Sequence, residues 1–376
     1  MTDSNSVISV NGAVNPGKRR LPELTYMNVL FTLMVISVHI LSEAVTTLDR
    51  QSVQYFAVYT PWKLFQFVTQ GFVFLSGVKL FISSRTGTGR FYLGRLKRVV
   101  LPYVLWVAVY YAYFVQIGYF GFDFLQLIRY IFVGDLSAQF YFVIIICQFY
   151  LITPLISRLL KDSTGVPELL YSLFISLILG QYLPQIIALF EPEYFFNYND
   201  RLFTTYLFYF VAGCAAGKNY EKFKEMLIKS RNAIYVMFLL FAAANLTLSY
   251  LTASARIYIG WCDTLHFAYC VSAILFFMAF FTELTKKHER VPALLKKTDA
   301  SSYMLYLSHV LVLLIIRRNV LDRAKVSDAG ARLAVTVVLT AAFVLISVYV
   351  WEFFKKNTYN YVFKAKYKCN KTERKK

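Results

Sequence analysis

Apolar residues in this chain gather into long runs separated by short polar gaps. A helix needs about 20 mostly apolar residues to cross the hydrocarbon core of a bilayer. Ten runs meet that length: 24–46, 61–83, 99–119, 138–158, 168–190, 203–219, 232–252, 261–283, 303–319 and 332–354. The runs at 203–219 and 303–319 are short, so the count of ten leans on them. A weaker apolar stretch, Phe122 to Val133, carries Asp123 and Arg129 and reads as a segment along the interface. Within hydrocarbon every backbone polar group must be satisfied by its own segment, which helices achieve. The pattern therefore predicts an all-α, polytopic bundle of about ten transmembrane helices over 21–356. A polar tail, 1–20, precedes it and a basic tail, 357–376, follows. No internal repeat is evident, so an inverted-repeat transporter finds no support.

The gaps give the bundle a direction. With the N-terminus inside, the inner gaps hold Arg85 to Arg98, then Arg158 and Lys161, then Lys218 to Arg231, then Lys286 to Lys297. The outer gaps are poorer in Lys and Arg, and the gap from Glu191 to Arg201 is acidic. That asymmetry follows the positive-inside rule and predicts a cell-membrane protein with both termini cytoplasmic. One gap disagrees: Arg317, Arg318, Arg323, Lys325 and Arg332 fall outside.

Composition excludes the soluble alternatives. The 376 residues are 58% hydrophobic and only 16% charged, and the mean hydropathy is +0.50. A soluble fold needs more charged surface than that. The net charge of +19 is explained by topology and anionic lipid headgroups rather than by nucleic acid. Four of the five cysteines fall inside apolar runs with no zinc-site or disulfide spacing, so no metal is expected. The N-terminal stretch lacks a cleavage-site pattern, and the first run reads as a retained helix.

Polar groups at membrane depth are costly and mark functional candidates. Of four histidines, His288 is in a loop and His266, near an outer helix end, reads as a packed, hydrogen-bonded residue. His39 lies ~22 Å along the first run from Leu24 at 1.5 Å per residue. Glu43 follows it at i+4, on the same helical face. A carboxylate there can orient the imidazole and raise its basicity, as a general base requires. A helix-packing hydrogen bond is the alternative. His309, placed near the cytoplasmic end of its run, reads as a packing residue or as one beside a ligand. In the second run, Ser76 and Gly77 allow close backbone approach, and Lys79 can snorkel to the inner headgroups. Arg95 and Arg98, three apart at the mouth of the third run, share one face and could grip phosphate. Topology anchoring would explain them equally.

These segments, in this order, resemble the acyltransferase-3 family of membrane acyltransferases over nearly the whole chain. The shared motifs are His39 in the first helix, Phe72-Val-Phe-Leu-Ser76-Gly77, Arg95-Leu-Lys-Arg98 with Pro102, and Tyr306-Leu-Ser-His309. The aromatic run Phe140 to Gln148, with Pro154 beyond it, is a fifth. Within the family the chain is most similar to the membrane proteins of biofilm poly-N-acetylglucosamine (intercellular adhesin) loci, through Glu23-Leu-Thr-Tyr26, Leu101-Pro-Tyr103 and Gln148-Phe149. It departs from the family at Asn28, where an Arg or Lys is usual, and Lys79 is the candidate to supply that charge.

The resemblance implies transfer of an acetyl or succinyl-type group from cytoplasmic acyl-CoA to a hydroxyl of a surface polysaccharide. His39 and Glu43 would be catalytic. Arg95, Arg98, Ser76, Gly77, Lys79 and Asn28 would bind the donor, and Gln148 and His309 the acceptor. A glycan synthase or export machinery would be a natural partner. A non-enzymatic polysaccharide exporter, or a scaffold for a glycan synthase, would also suit an aromatic-rich bundle.

Overall fold

A computed structural model describes residues 21–83, 89–191, 193, 196–255, 257, 259, 261–287 and 290–373, with side chains up to Phe353 except that of Trp261. The 1–20 tail, Arg85, His288 and the side chains of the C-terminal tail lie outside the described residues.

Among the described residues the regular structure is all helical. The first half holds α1 (Pro22–Thr47), α2 (Val53–Leu64), α3 (Val68–Ile82), α4 (Gly89–Arg95), α5 (Leu101–Gln116), α6 (Phe124–Val133) and α7 (Tyr141–Leu159). The second half holds α8 (Val166–Phe190), α9 (Phe203–Lys218), α10 (Tyr220–Lys229), α11 (Arg231–Ala255), α12 (Trp261–Lys287), α13 (Ala293–Ile316) and α14 (Ala329–Glu373). Local chemistry sets the ends. Pro22 starts α1, where its missing N–H costs nothing. The Asp123 carboxylate accepts from Leu125 N and Gln126 N at the start of α6, and Gly134, at φ 71°, closes it. The expected interfacial stretch is this short apolar helix.

Among the described residues, nine helices are long and apolar enough to cross a membrane. They coincide with nine of the ten predicted runs, and this is a multi-pass membrane bundle. The tenth run is α9, whose 16 residues span ~24 Å. Two sets of contacts show that α9 crosses as well. Glycines of both helices line its contact with α3: Gly77 of α3 meets Phe210 and Cys214, Gly213 meets Phe74, and Gly217 meets Val78 and Phe81. Positions rise together on both helices, so α9 runs parallel to spanning α3. Likewise Asn28 meets Asp299, His39 meets His309, and Glu43 meets Arg317, so α1 and α13 are parallel. Two parallel spans need an odd number of crossings between them. Six of the nine helices lie between α1 and α13, and α9 makes the seventh.

Helix α1 is central, packed against α2, α3, α12, α13 and α14. The outer helices turn large apolar side chains outward, such as Leu170 and Phe174 on α8, Leu239 and Leu240 on α11, and Val338 and Ile346 on α14. Inside, aromatic rings fill the core. Phe31 of α1 meets Phe67, Phe72 and Phe277 edge-on, and Phe149 stacks on Phe210.

Several helices differ in extent from the prediction: the second span begins at Val53 rather than 61, and α14 runs to Glu373 rather than 354. Helix α13 begins at Ala293, ten residues before the predicted 303, and the third span begins at Gly89 rather than 99. Both carry a π-helical segment, Leu96–Val100 leading into α5 and Arg317–Asp322 following α13.

Candidate active site

The earlier start of α13 changes the depth of His309. Counted from Ala293, His309 lies ~24 Å along α13, and His39 lies ~26 Å along α1 from Pro22. Because the helices are parallel, the two imidazoles meet at one level, with ring centroids 5.0 Å apart. The expectation that His309 sits near the cytoplasmic end is corrected: it is level with His39, deep in the bundle.

The rings differ in their surroundings. His309 is fully buried. Its Nδ1 lies 2.7 Å from Tyr306 O and 3.2 Å from Leu305 O. Carbonyl oxygens only accept, so Nδ1 carries the hydrogen and Nε2 keeps its lone pair. Nε2 is buried with no hydrogen-bond partner. The His39 ring is half-buried and has no hydrogen-bond partner among the described residues. A fixed imidazole thus backs an accessible one.

Helix α13 is pinned beside this pair. Tyr110 O–H donates to Leu307 O (3.0 Å), and the same hydroxyl accepts from Leu311 N (2.7 Å) and Gln139 Nε2 (2.8 Å). The Tyr306 hydroxyl donates to Gln139 O. Tyr110 and Gln139 were not singled out in the sequence, where each is one aromatic or amide among many. Both hold the His309 turn in place.

Glu43 is not the partner of His39. Its carboxylate lies 2.7 Å from Arg317 Nε and 2.7 Å from Arg332 Nε. Arg332 donates well to Oε1 and also reaches Asp322 at 3.0 Å, whereas the Arg317 N–H is not aimed at the carboxylate. Arg317 Nη2 donates instead to His39 O at 3.1 Å. Two guanidinium groups outcompete a neutral imidazole for a carboxylate. The same pairings explain part of the basic gap that broke the positive-inside pattern: Arg317 and Arg332 are spent on Glu43. Arg318, Arg323 and Lys325 are exposed.

Toward the other end of α1, Asn28 Nδ2 donates to Asp299 Oδ1 (2.8 Å), and Lys79 Nζ donates to Asn28 Oδ1 (3.1 Å). The ammonium of Lys79 therefore stands at the Asn28 position, between α1 and α3, with Asp299 as the counter-charge beyond the amide. Ser76 is half-buried one turn earlier on α3. Gly77 does not leave an open path. A Cβ there would lie 2.5 Å from Phe210 O and 2.9 Å from Cys214 N, so its close backbone approach is taken by α9.

Arg95 and Arg98 do not share a face as the spacing suggested. The π-helical segment from Leu96 alters the register between them. Arg95 is half-buried over the rings of Tyr150 (4.8 Å) and Phe91 (5.1 Å), and Arg98 is exposed. Gln148 has both amide atoms committed to backbone: Nε2 donates to Arg201 O (2.8 Å) and Oε1 accepts from Phe203 N (2.9 Å). It ties α7 to the start of α9.

Among the described residues no cluster of His, Cys, Asp and Glu could hold a metal. The site can move a proton at an imidazole and hold anions nearby. A family model for an acyltransferase domain, acyltransferase-3, matches residues 21–352. The chain belongs to the acyltransferase-3 family. It is a multi-pass membrane acyltransferase, and the non-enzymatic exporter and scaffold readings give way. No curated protein and no solved structure matches the chain.

Proposed function

We propose that this acyltransferase moves an acetyl or succinyl-type group from cytoplasmic acyl-CoA to a hydroxyl of a cell-surface polysaccharide. Its similarity to the poly-N-acetylglucosamine locus proteins makes a biofilm glycan the acceptor of choice. The bundle sits in the cell membrane with both termini cytoplasmic, so that the basic gaps face the CoA pool.

His39 takes the proton from the acceptor hydroxyl, and the oxygen attacks the thioester carbonyl as the CoA thiolate leaves. His309 is the positioning residue. Its Nε2 lone pair, unpartnered in this structure, becomes the acceptor for an N–H of His39 once that ring turns toward it, which selects the tautomer whose other nitrogen is free as base. The juxtaposition of the two imidazoles at one depth, from helices 270 residues apart in number (309 minus 39), carries this reading. Arg95, its face on two rings, meets the donor phosphates, and the exposed Arg98 reaches them from a different face of the segment. Lys79 supplies the cation that the family places at residue 28.

The test is mass analysis of glycan made by membranes containing full-length protein. His39→Ala removes the acyl group from the product while the protein stays in the membrane; unchanged acylation would sink the assignment. Lys79→Ala and Lys79→Gln lower transfer as well. If both retain full activity while Arg98→Ala abolishes it, Lys79 does not replace the missing charge.

A further inference from the structure

A cavity of about 430 Å³ shares no lining residue with the histidine site. Its floor is one stripe of α9, Phe208, Ala212 and Ala215, continued by Asn219 just past the helix end. From Phe208 to Asn219 the stripe runs ~16 Å, about half of the ~30 Å hydrocarbon core and so one leaflet deep. Leu169 of α8 and Leu275 of α12 form the walls. The alanines leave room that larger side chains would fill. On its other face α9 is locked to α3 by Gly213 and Gly217, which fixes the floor.

Apart from Tyr209, whose hydroxyl donates to Phe267 O, the polar lining residues gather at one end. There α10 crosses the mouth, with Tyr220 and Leu227 buried, Phe223 and Met226 on the cavity, and Lys222 exposed at its rim beside Asn219. The neighbouring lysines are already engaged. Lys224 Nζ pairs with Glu221 (3.0 Å) and Glu23 (3.6 Å), and Lys218 Nζ donates to the carbonyls of Lys161 and Ser163, each at 3.0 Å. Lys222 has no ion pair among the described residues.

We infer that this trench binds a phospholipid with an anionic headgroup. One acyl chain lies along the α9 stripe, and the phosphate and headgroup meet Lys222 and Asn219 at the α10 rim. The volume lies in the ~300–1,000 Å³ range of specific ligand pockets. An apolar slot one leaflet deep with its single uncommitted cation at headgroup level matches a lipid in both length and charge. The site does not depend on the catalytic reading.

The experiment uses purified full-length protein, stripped of lipid in detergent and given mixed micelles of phosphatidylglycerol or phosphatidylcholine. Retained lipid is counted by native mass spectrometry. Wild type keeps phosphatidylglycerol in preference to phosphatidylcholine. Lys222→Ala lowers that preference about fivefold, the value of one interfacial lysine, and Lys222→Glu removes it. Ala212→Phe or Ala215→Phe fills the floor and loses lipid of either headgroup, with thermal unfolding confirming that at least one folds. Lys229→Ala, an exposed lysine of α10 outside the cavity, and His39→Ala both behave as wild type. Equal retention of the two lipids by wild type overturns the inference. So does continued retention in a folded filled variant, or a loss in Lys229→Ala matching that in Lys222→Ala.

Discussion

Neutralising Glu43 would leave Arg317 without a counter-ion and Arg332 with Asp322 alone. The side chains of Glu43, Arg317 and Arg332 are 22–25% exposed, between surface and core. Glu43→Gln should therefore cost about 1–3 kcal/mol, more than a surface pair and less than a buried one. The same substitution distinguishes two roles. If Glu43 set the basicity of His39, the pH profile of transfer would move. With the carboxylate held by arginines, the melting temperature falls and the profile in the surviving protein stays where it was. His309→Leu gives the complementary result: an alkyl side chain carries no lone pair to replace that at Nε2, so transfer drops at least tenfold while His39 remains in place. A rate within twofold of wild type would leave His309 with a packing role only. In the sequence, His39 stood out because an imidazole in an apolar run needs a reason. Its true neighbour was hidden, because i+4 spacing reports helix faces and says nothing of which distant helix meets them.

At the scale of elements, backbone contact between α3 and α9 rests on glycine. A methyl at Gly77 meets the carbonyl oxygen of Phe210 at 2.5 Å, and neither atom belongs to a side chain that can rotate away. Gly77→Ala should thus destabilise the protein by about 1–3 kcal/mol through overpacking, read as a lower unfolding temperature. Gly94→Ala is the control, since a Cβ there has nothing within 4 Å. If the two variants melt alike, the α3–α9 contact is looser than described. Element positions were mostly legible, because the bilayer demands long apolar runs. The start of α13 was not. Lys296, Lys297 and Asp299 interrupt its apolar run, yet Asp299 is bonded to Asn28 and Lys297 pairs with Glu352 at 3.2 Å. Charges satisfied inside a bundle do not end a helix, and only the partner helices reveal that they are satisfied. The two π-helical segments were equally invisible, and they decide where Arg95, Arg98 and Arg317 point.

For the whole molecule, the number of crossings fixes which face each loop occupies, and α9 is the deciding helix. With ten crossings, the loops after α1 and α13 share one face, while those after α7 and α12 share the other. Were α9 to stop within the bilayer, every later helix would reverse: the loop after α13 would join the loop after α7, and the end of α12 would join the loop after α1. Single cysteines at Gln51, Thr164, Lys286 and Ser327, placed one at a time in a cysteine-free chain, separate the cases with a membrane-impermeant thiol reagent. Gln51→Cys and Ser327→Cys should label from the outer face of intact cells. Thr164→Cys and Lys286→Cys should label only after the membrane is opened. Labelling of Lys286→Cys but not Ser327→Cys in intact cells would mean nine crossings. It would also set α13 antiparallel to α1, and the pairs Asn28–Asp299, His39–His309 and Glu43–Arg317 could not then form together. The histidine site and the topology stand or fall on the same helix, one whose 16 residues gave the weakest signal of the ten.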